Sequence, residues 1–378
     1  MGALSLIQEY YIHREHAVRN WKDKGGKVVG YFCSVPEELI IAGGFLPFRI
    51  SGNPEENTTT ADKYVEPLYD PYARSILNMF LTGEYDFIDY MIIPHSRDAI
   101  FKLYYHLKNI QSINPHLNLP EMYLFDMCHA KYWSSAIYTH QRLEELKQLI
   151  GCWAGIKISD SSIRKAIEVT NENRRLLHKV TTLRTDQPPR MSGVEALQII
   201  GSSMVMVKEE HNILLARLIE ESEGFSKKTG ARVYVCGSPV DNTRLYEIIE
   251  SCGLIVTGED NCWGNRYVDF PVDSNIEPLE ALLDKYYYRS LCYQMYPMGS
   301  RLDYAMERAI KAEVDGVIFY SPIWDNAWAW EYPEWKRKFE KENIPLLELE
   351  VKNYSISEDE EKIIREKVHQ FKEQINKG

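Results

Sequence analysis

Short apolar runs alternate with amphipathic stretches over the first third of the chain, and this pattern is typical of strands that are covered by helices. The predicted strands are residues 27–32, 46–50, 87–94 and 122–127, and the predicted helices are residues 3–22, 36–42, 72–82 and 98–108. Because these strands are apolar on both faces, the pattern favours a parallel sheet with helices on each side.

The pattern becomes helical in the middle of the chain and returns to alternation afterwards. Apolar residues recur at helical spacing between residues 139 and 228, and the stretch DQPPR at residues 186–190 separates two of these helices. The later predicted strands are residues 232–237, 254–258, 316–321 and 346–351, and the later helices are residues 243–251, 278–287, 301–312, 334–342 and 357–376. We therefore predict an α/β fold of two similar lobes with mostly parallel sheets flanked by helices, plus a helical insert. The predicted boundaries are residues 1–140, 141–230 and 231–378.

One passage occurs twice. KVVGYFCSVPEELIIAGGFLPFRI near the start and ARVYVCGSPVDNTRLYEIIESCGLIVTGED in the second half each contain a β-rich run that ends in Cys-x-x-Pro, followed by a helix that a glycine ends. Two unrelated runs that are alike by chance are the alternative to duplication. Duplicated α/β halves would place the carboxyl ends of two parallel sheets opposite each other. Since ligands of open α/β sheets bind outside those strand ends, we expect the site in the cleft between the halves.

Composition and missing motifs exclude several classes of function. The net charge of −11, with scattered Lys and Arg, argues against binding to nucleic acid or to a membrane surface, because both need a concentrated basic face. No apolar run approaches the roughly 20 residues of a membrane span, and the first residues are too charged for a signal peptide, so a cytoplasmic location is expected. The chain contains no G-x-G-x-x-G, phosphate loop, G-x-S-x-G or H-E-x-x-H. Nucleotide-fold, hydrolase and zinc-protease functions therefore lack support.

The seven cysteines include no Cys-x-x-Cys, so neither a disulfide framework nor a local metal motif is indicated. A site assembled from distant cysteines remains open. Cys33 and Cys236 end predicted strands, where a thiolate can reach a cofactor, and burial as small apolar side chains is the alternative. Cys262 and Cys292 lie in loop-like sequence.

Two further features could contribute to a site. His95 follows a predicted strand and could assist acid–base chemistry, with a structural or surface histidine as the alternative. Four tryptophans lie between Trp324 and Trp335, beside Asp325. Such indoles could wall a dry pocket or form an interface with another protein, and we favour the interface.

Together these passages resemble the 2-hydroxyacyl-CoA dehydratase family, which includes the smaller subunits of ATP-dependent benzoyl-CoA reductases. The resemblance is carried by GYFCSVPEELIIAGGFLP, YMIIPHSRDAI, EDNCWGNRY and DGVIFYSPIWDNAWAWEYP. It implies an acyl-CoA enzyme of anaerobic metabolism that forms a heterodimer with a homologous sister subunit. It also implies a [4Fe–4S] cluster held in the cleft by three cysteines, and an ATP-dependent activator whose single electron makes a ketyl radical from the thioester.

The sequence departs from the implied cluster site at two of its three positions. Cys33 matches the first cysteine, whereas Arg97 stands at the second and Asp325 at the third. Arginine is always cationic, and four-iron clusters need several thiolates. We predict that the cluster is absent, carried by the partner, or rebuilt on other ligands, for which Cys33 and Asp325 are the candidates here. Arg97 and Asp325 are then expected to pair in a cleft that is short of sulfur.

The resemblance also implies roles for residues near the cleft. Glu38 and His95 are the candidate catalytic residues, and the candidate substrate-binding residues are Arg97, Arg266, Trp263 and Trp324. For Glu38 the alternative is a favourable place at a helix N-terminus, and for Arg266 it is a structural ion pair.

Three hypotheses follow from these observations. The favoured one is a subunit of an acyl-CoA dehydratase or benzoyl-CoA reductase-type enzyme that lacks the usual three-cysteine site and completes a complex with a cluster-bearing sister. The second is a self-sufficient catalytic subunit with an atypically ligated [4Fe–4S] cluster. The third is a non-catalytic assembly or binding protein of the same fold.

Overall fold

Two four-stranded parallel sheets form the centres of two lobes. A computed structural model describes residues 2–292 and 294–376. The first sheet contains β1 (Val28–Tyr31), β2 (Leu46–Arg49), β3 (Tyr90–Pro94) and β4 (Glu121–Phe125), and the second contains β5 (Ala231–Gly237), β6 (Leu254–Glu259), β7 (Gly316–Pro322) and β8 (Leu346–Val351). The spatial orders are β2-β1-β3-β4 and β6-β5-β7-β8. The sheets thus share one topology, and the predicted α/β fold of two similar lobes is confirmed.

The central strands of both sheets are buried on both faces. Gly30 of β1 lies opposite Phe48 of β2 and Met91 of β3, and Val235 of β5 lies opposite Ile318 of β7. All residues of β1 and of β7 are buried. This burial explains why their sequences are continuous apolar runs instead of alternating ones.

The helices of the first lobe mostly follow the predicted order. They are α1 (Ala3–Ile12), α2 (Glu15–Asp23), α3 (Glu37–Ala42), α4 (Pro71–Thr82) and α5 (Asp98–Ile113). The single helix predicted at residues 3–22 is wrong, because the backbone leaves the helical conformation at His13 (φ −110°, ψ 66°). At the start of α4, the Asp70 carboxylate accepts hydrogen bonds from two backbone N–H groups, and proline occupies the first helical position.

Four helices in the middle of the chain connect the two lobes. They are α6 (Trp133–Ala154), α7 (Asp160–Thr185), α8 (Gly193–Ser203) and α9 (Lys208–Glu221). The DQPPR stretch lies between α7 and α8, as predicted, and Ser192 and Glu195 form a capping box at the start of α8. Helix α7 contacts both α3 of the first lobe and β6 of the second, while α1 packs on α8 and α9. The division into three parts remains a prediction.

The helices of the second lobe are α10 (Arg244–Ser251), α11 (Asn265–Val268), α12 (Pro278–Leu283), α13 (Gly299–Lys311), α14 (Asn326–Lys341) and α15 (Glu358–Ile375). A π-helical turn, Asp284–Tyr288, continues α12. Helix α14 begins at Asn326 instead of residue 334 and contains Pro333, because Trp328 and Trp335 pack on Phe319 of β7 from one face. Among the helices that the structure describes, none is both long and apolar enough to cross a bilayer.

Candidate active-site cleft between the lobes

The carboxyl ends of both sheets border one cleft with a volume of about 180 Å³. From the first lobe, Cys33 follows β1 and Arg97 follows β3. From the second lobe, Ser238 follows β5 and Trp324 follows β7. The two sheets are separate, so the predicted cleft between facing lobes is confirmed. This position is where open α/β sheets bind ligands.

Three thiols from distant parts of the chain line this cleft: Cys33, Cys262 and Cys292. The side chains of Cys33 and Cys262 hydrogen-bond to each other, and Cys292 hydrogen-bonds to the Ser34 side chain. The expectation of a cleft short of sulfur is therefore wrong. In the sequence, Cys262 and Cys292 stand out only as residues of loop-like segments. The signal that could have found Cys262 is its position inside EDNCWGNRY, one of the passages that carry the resemblance.

The loop that carries Cys262 is held rigidly against the second sheet. The backbone N–H of Asp260 donates to the Val235 carbonyl (2.8 Å), and that of Trp263 donates to the Asn261 side chain (2.9 Å). A Cβ on Gly264 would lie 2.1 Å from a carboxylate oxygen of Glu259, so only glycine permits this close approach.

The segment of Cys292 is anchored by a buried arginine. The Arg301 guanidinium donates to the Cys292 carbonyl oxygen (3.1 Å). Ser34, directly after Cys33, has φ 68°, a left-handed conformation that is uncommon for serine. The surrounding structure thus fixes the backbone positions of these cysteines. We infer that the fold itself brings the three thiols close together.

Positive charge surrounds the thiol pair. Arg49, which is buried at the end of β2, donates to Cys262 Sγ at 3.2 Å and lies over the rings of Tyr31 and Trp263. The pKa of Cys262 is lowered, because the Cys33 thiol donates a hydrogen bond to it and because Arg49 stabilises the thiolate, against the opposing effect of burial. The pKa of Cys33 is raised, because its proton is held in that hydrogen bond and because the thiol is buried.

Arg97 and Asp325 form the ion pair that the sequence predicted. The Arg97 guanidinium lies 3.6 Å from the Asp325 carboxylate and 2.5 Å from that of Asp70, and both carboxylates are buried. Asp325 also accepts a hydrogen bond from the Ser238 hydroxyl at 2.8 Å. Burial raises the pKa of Asp70, although Arg97 opposes that shift.

The ligand positions implied by the resemblance do not fit a [4Fe–4S] cluster in this chain. The position of Arg97 holds a cation, which cannot donate a lone pair to iron. The Asp325 carboxylate is already engaged by Arg97 and Ser238. Cys33 alone of the three implied positions offers a thiolate. Whether Cys33 or Asp325 binds metal stays a prediction.

Two neighbouring carboxylates of α3 lie in a buried network beside the cleft. Glu37 lines the cleft, accepts a hydrogen bond from Tyr267 (3.0 Å) and forms an ion pair with Lys208 (3.0 Å). Arg174 bridges both acids, at 3.0 Å from Glu37 and 2.7 Å from Glu38. The structure therefore places Glu37 at the cleft wall and Glu38 behind it, whereas the sequence pointed to Glu38. A catalytic role of Glu38 stays a prediction.

The charge states in this network are set by burial and by paired ions. Burial alone would raise the pKa of Glu38, but Arg174 and Lys285 outweigh it and lower that pKa to about 2. Burial and the nearby Arg174 hold the pKa of Lys285, another residue of the cleft wall, well below its usual value. The Tyr286 hydroxyl donates to Glu38 at 2.8 Å. Sequence reasoning missed Glu37, Lys285 and Tyr267, because only the fold brings them together.

His95 lies at the end of β3 but outside the cleft wall. Its Nδ1 is 2.8 Å from an Asp126 carboxylate oxygen, its ring stacks on Phe101, and its side chain is 39% exposed. Asp126 also accepts a hydrogen bond from the Tyr138 hydroxyl. These contacts account for His95 as a structural residue, and its catalytic role stays a prediction.

The other candidate substrate-binding residues all border the cleft. Arg266 is paired with Asp260 (Nη2 to Oδ2, 2.7 Å) and donates to the Leu291 carbonyl at 2.6 Å, as expected for a structural ion pair. Trp263 is buried, with the guanidinium groups of Arg14 and Arg49 each over its ring, and Trp324 lies on the wall of the cleft. Their contact with substrate stays a prediction.

The four tryptophans do not act together as an interface. Trp328 and Trp335 are buried in the core beside Phe319, and Trp324 lines the cleft. Trp330 is 86% exposed. The tryptophan-rich sequence thus reflects a helix with a buried face, and our preference for an interface fails for at least Trp328 and Trp335.

The amino-acid sequence is similar to those of several known proteins over most of its length. The family model of the D component of 2-hydroxyglutaryl-CoA dehydratase matches residues 32–375. The beta subunit of (R)-phenyllactyl-CoA dehydratase from Clostridium sporogenes is 26% identical over 90% of this chain and 91% of its own. One of the subunits of benzoyl-CoA reductase from Thauera aromatica is 25% identical over 95% of this chain and 94% of its own. The beta subunit of (R)-2-hydroxyglutaryl-CoA dehydratase from Acidaminococcus fermentans is 22% identical over 93% and 94%. With its two facing lobes and a match over most of its length, the chain belongs to the family of the 2-hydroxyglutaryl-CoA dehydratase D component.

Proposed function

We propose that this chain is one subunit of a radical-type acyl-CoA enzyme, either a 2-hydroxyacyl-CoA dehydratase or a benzoyl-CoA reductase-like enzyme, that works with a homologous sister subunit. The observation that carries the proposal is the match to this family over residues 32–375, together with a cleft at the facing strand ends. Relatives named as subunits of dehydratases and of a reductase support a function within a complex of several chains.

The cleft has the character of a site for the acyl end of a CoA thioester. Binding pockets of this kind combine mainly apolar walls with a few fixed polar groups. Here the Tyr267 hydroxyl, which donates to Glu37, and the Lys285 side-chain nitrogen, which donates to the Phe270 carbonyl at 2.6 Å, are such fixed groups. A hydroxyl or carbonyl of the acyl group can be oriented by them, and proton transfer at Glu37 would be shielded from water.

Arg97 and Asp325 stand at two of the three positions where the resemblance implies cysteine ligands, which supports a cluster held elsewhere in the complex. In the enzymes that the sequence resembles, a [4Fe–4S] cluster supplies single-electron chemistry at the thioester. We propose that the sister protein holds a cluster of the usual type and that an ATP-dependent activator delivers the electron. All seven cysteines of this chain are free thiols, as expected in a reducing compartment such as the cytoplasm.

The test is to co-express the chain with a candidate homologous sister subunit and to purify the complex without oxygen. Turnover of 2-hydroxyacyl-CoA and benzoyl-CoA substrates is then measured with activator, ATP and reductant. We expect Glu37→Gln to lower kcat by about 10²-fold, as for loss of a proton-transfer group, while acyl-CoA binding measured by calorimetry persists. The exposed variant Glu209→Gln is the matched control and should behave as wild type. If no sister subunit associates and no acyl-CoA binds, the non-catalytic assembly protein becomes the better description.

A further inference from the structure

A second cavity lies in the second lobe, separate from the cleft. It has a volume of about 470 Å³ and lies between α7, the edge strand β6, α11 and the last turn of α13. None of the described residues that line it also lines the cleft. Apart from Gly258 and Ala312, every described residue of its wall has a polar side chain. Since ligand pockets typically span about 300–1,000 Å³, this cavity can hold a whole small molecule, and its wall suits a hydrophilic one.

Two buried polar groups of this wall have no hydrogen-bond partner among the residues that the structure describes. They are the hydroxyl of Tyr234 and the Nε of Arg184, and both side chains are fully buried. Burial holds the pKa of Tyr234 well above its usual value, so this hydroxyl keeps its proton and can donate. An unpaired buried donor is costly, and both groups would be satisfied by a ligand with acceptor oxygens.

The wall also carries a positive charge that no neighbouring acid compensates. Arg184 forms an ion pair with Glu259, and Arg308 forms one with Asp269 at 2.7 Å. Lys311, the exposed last residue of α13, forms no ion pair with any residue that the structure describes. Its ammonium group is therefore available to an anionic ligand, as a charge-assisted hydrogen-bond donor.

The ends of two helices beside the cavity do not oppose an anion. Helices α7 and α13 both end here, and a helix C-terminus by itself repels negative charge. The Arg232 guanidinium, however, donates to the carbonyls of Thr185 (3.0 Å), Asp186 (3.0 Å) and Ala312 (2.7 Å), the last carbonyls of these helices and their caps. Arg232 also interacts with the charge of Glu313, a further carboxylate of the wall. The positive charge of Lys311 thus remains without compensation.

Threonine hydroxyls add acceptors to this wall. The hydroxyls of Thr181 and Thr182 donate to backbone carbonyls three residues earlier in α7 (2.9 and 2.6 Å), and the Thr257 hydroxyl donates to the Val233 carbonyl (3.3 Å). Because each hydroxyl has only one proton to donate, its oxygen is left to accept a hydrogen bond from a ligand. Hydroxyl groups of a ligand are donors of this kind.

We propose that this cavity is a second ligand site of the chain, for a small polyhydroxylated anion such as a sugar phosphate or a sugar acid. The anionic group pairs with Lys311, a ligand oxygen accepts a hydrogen bond from the Tyr234 hydroxyl, and ligand hydroxyls donate to the threonine oxygens. Binding is non-covalent. Because the cavity and the cleft share no described residue, the proposal does not rest on the proposed function.

The test is calorimetric titration of the full chain in a buffer free of phosphate. The probes are D-glucose 6-phosphate, D-gluconate, D-glucose and inorganic phosphate, which present an anionic group and hydroxyls together or singly. We expect a Kd below about 1 mM for at least one of the two hydroxylated anions, and at least about tenfold weaker binding of glucose and of inorganic phosphate. Comparing glucose 6-phosphate with gluconate distinguishes a phosphate ester from a carboxylate as the preferred group. If neither hydroxylated anion binds at about 10 mM, or if glucose or inorganic phosphate binds as tightly, the proposal is wrong.

Two variants show where the probe binds. Lys311→Ala should weaken binding of the tighter hydroxylated anion by at least about tenfold, because it removes a charge-assisted contact. Its matched control is Lys341→Ala, at the exposed last residue of α14, which should bind as wild type. Tyr234→Phe should weaken binding by about fivefold, while the Tm of the ligand-free chain stays the same or rises, because this hydroxyl has no partner to lose. Unchanged binding in both Lys311→Ala and Tyr234→Phe would contradict the proposed site.

A competition experiment separates this site from the cleft. Coenzyme A is added to the chain that is loaded with the bound hydroxylated anion, and calorimetry measures whether the anion is displaced. We expect no displacement, because the two sites share no described lining residue. Displacement would assign the cavity to the acyl-CoA site and would overturn the second site while leaving the proposed function intact.

Discussion

The two lobes share one topology but differ in what they present at the ends of their strands. Strand β1 ends at Tyr31, so that Cys33 lies in the cleft, whereas β5 continues to Gly237 and keeps the matching Cys236 inside the buried sheet. Burial raises the pKa of Cys236, as expected for a thiol that serves as an apolar side chain. Strand length therefore decides whether a repeated cysteine reaches the ligand site.

A second pair of matching positions acts together across the cleft. Arg97 directly precedes α5, and Asp325 directly precedes α14, each after the third strand of its lobe. Because the lobes face each other, the Arg97 guanidinium lies 3.6 Å from the Asp325 carboxylate. The shared topology of the lobes thus makes a symmetric pair of positions, and in this chain opposite charges fill them.

The helices after the first strand differ in polarity. Helix α3 buries Glu37 and Glu38, whereas the equivalent α10 buries apolar residues and Tyr246. The partners of the buried acids include Arg174 of α7 and Tyr267 of the second lobe. The buried negative charges of these two acids are therefore compensated by residues from other parts of the molecule.

The largest effect is expected from Arg174→Ala, which would break that compensation. It leaves two buried carboxylates short of a partner, and loss of one member of a buried ion pair costs about 3–5 kcal/mol in the free energy of unfolding. The neighbouring Arg175→Ala removes only the exposed ion pair with Glu172 and should have a much smaller effect on the free energy of unfolding. Urea denaturation of the two variants measures the difference. Equal losses for the two variants would contradict a special role of the buried network.

Arg97→Ala should destabilise the chain by about 2–3 kcal/mol, because it removes charged hydrogen bonds from buried acids. The double variant Arg97→Ala/Asp325→Asn should lose less than the sum of the two single variants, as residues in one ion-pair network are coupled. Thermal and urea unfolding of all three proteins give the coupling. Strict additivity, or no loss for Arg97→Ala, would show that the pair across the lobes is incidental.

Stability should also depend on pH through Glu38. Its pKa in the folded chain is about 2, against an ordinary value of 4.5, so its stabilising contribution is present above pH 4.5 and is lost as the pH falls towards 2. By pH 3 the loss is on the order of 2 kcal/mol. Urea midpoints at pH 7, 4 and 3 should fall more steeply for wild type than for Glu38→Gln. If the urea midpoints of both proteins fell equally with pH, the acid sensitivity would come from groups other than Glu38.

The smallest effects come from the repeated cysteines. Cys236→Ser places a hydroxyl in an apolar core and should cost about 1–2 kcal/mol, whereas Cys33→Ser at the cleft should change the stability of the metal-free chain by at most about 0.5 kcal/mol. Denaturation of both metal-free variants measures this. The reverse order would contradict the assignment of Cys236 to the core and of Cys33 to the cleft.

Most of the fold could be predicted, since apolar runs and helical periodicity are local properties of the chain. The eight strands lie where the pattern placed them, and the Arg97–Asp325 pair followed from the ligand positions that the resemblance implies. The predicted helix at residues 334–342 began after Pro333, whereas α14 begins at Asn326 and contains this proline, a residue that usually interrupts a helix. Glu37 was undervalued because its partners Lys208 and Tyr267 are far away in the sequence.

The sequence by itself determined the two sister lobes and the facing strand ends, because both are written in neighbouring residues or in a repeat. The resemblance to a known family added that Arg97 and Asp325 stand where cysteine ligands are implied. Only the tertiary structure decided which thiols share the cleft. Cys33, Cys262 and Cys292 meet there because strand lengths and loop anchors set their positions in space, and no local pattern encodes a distance between segments so far apart.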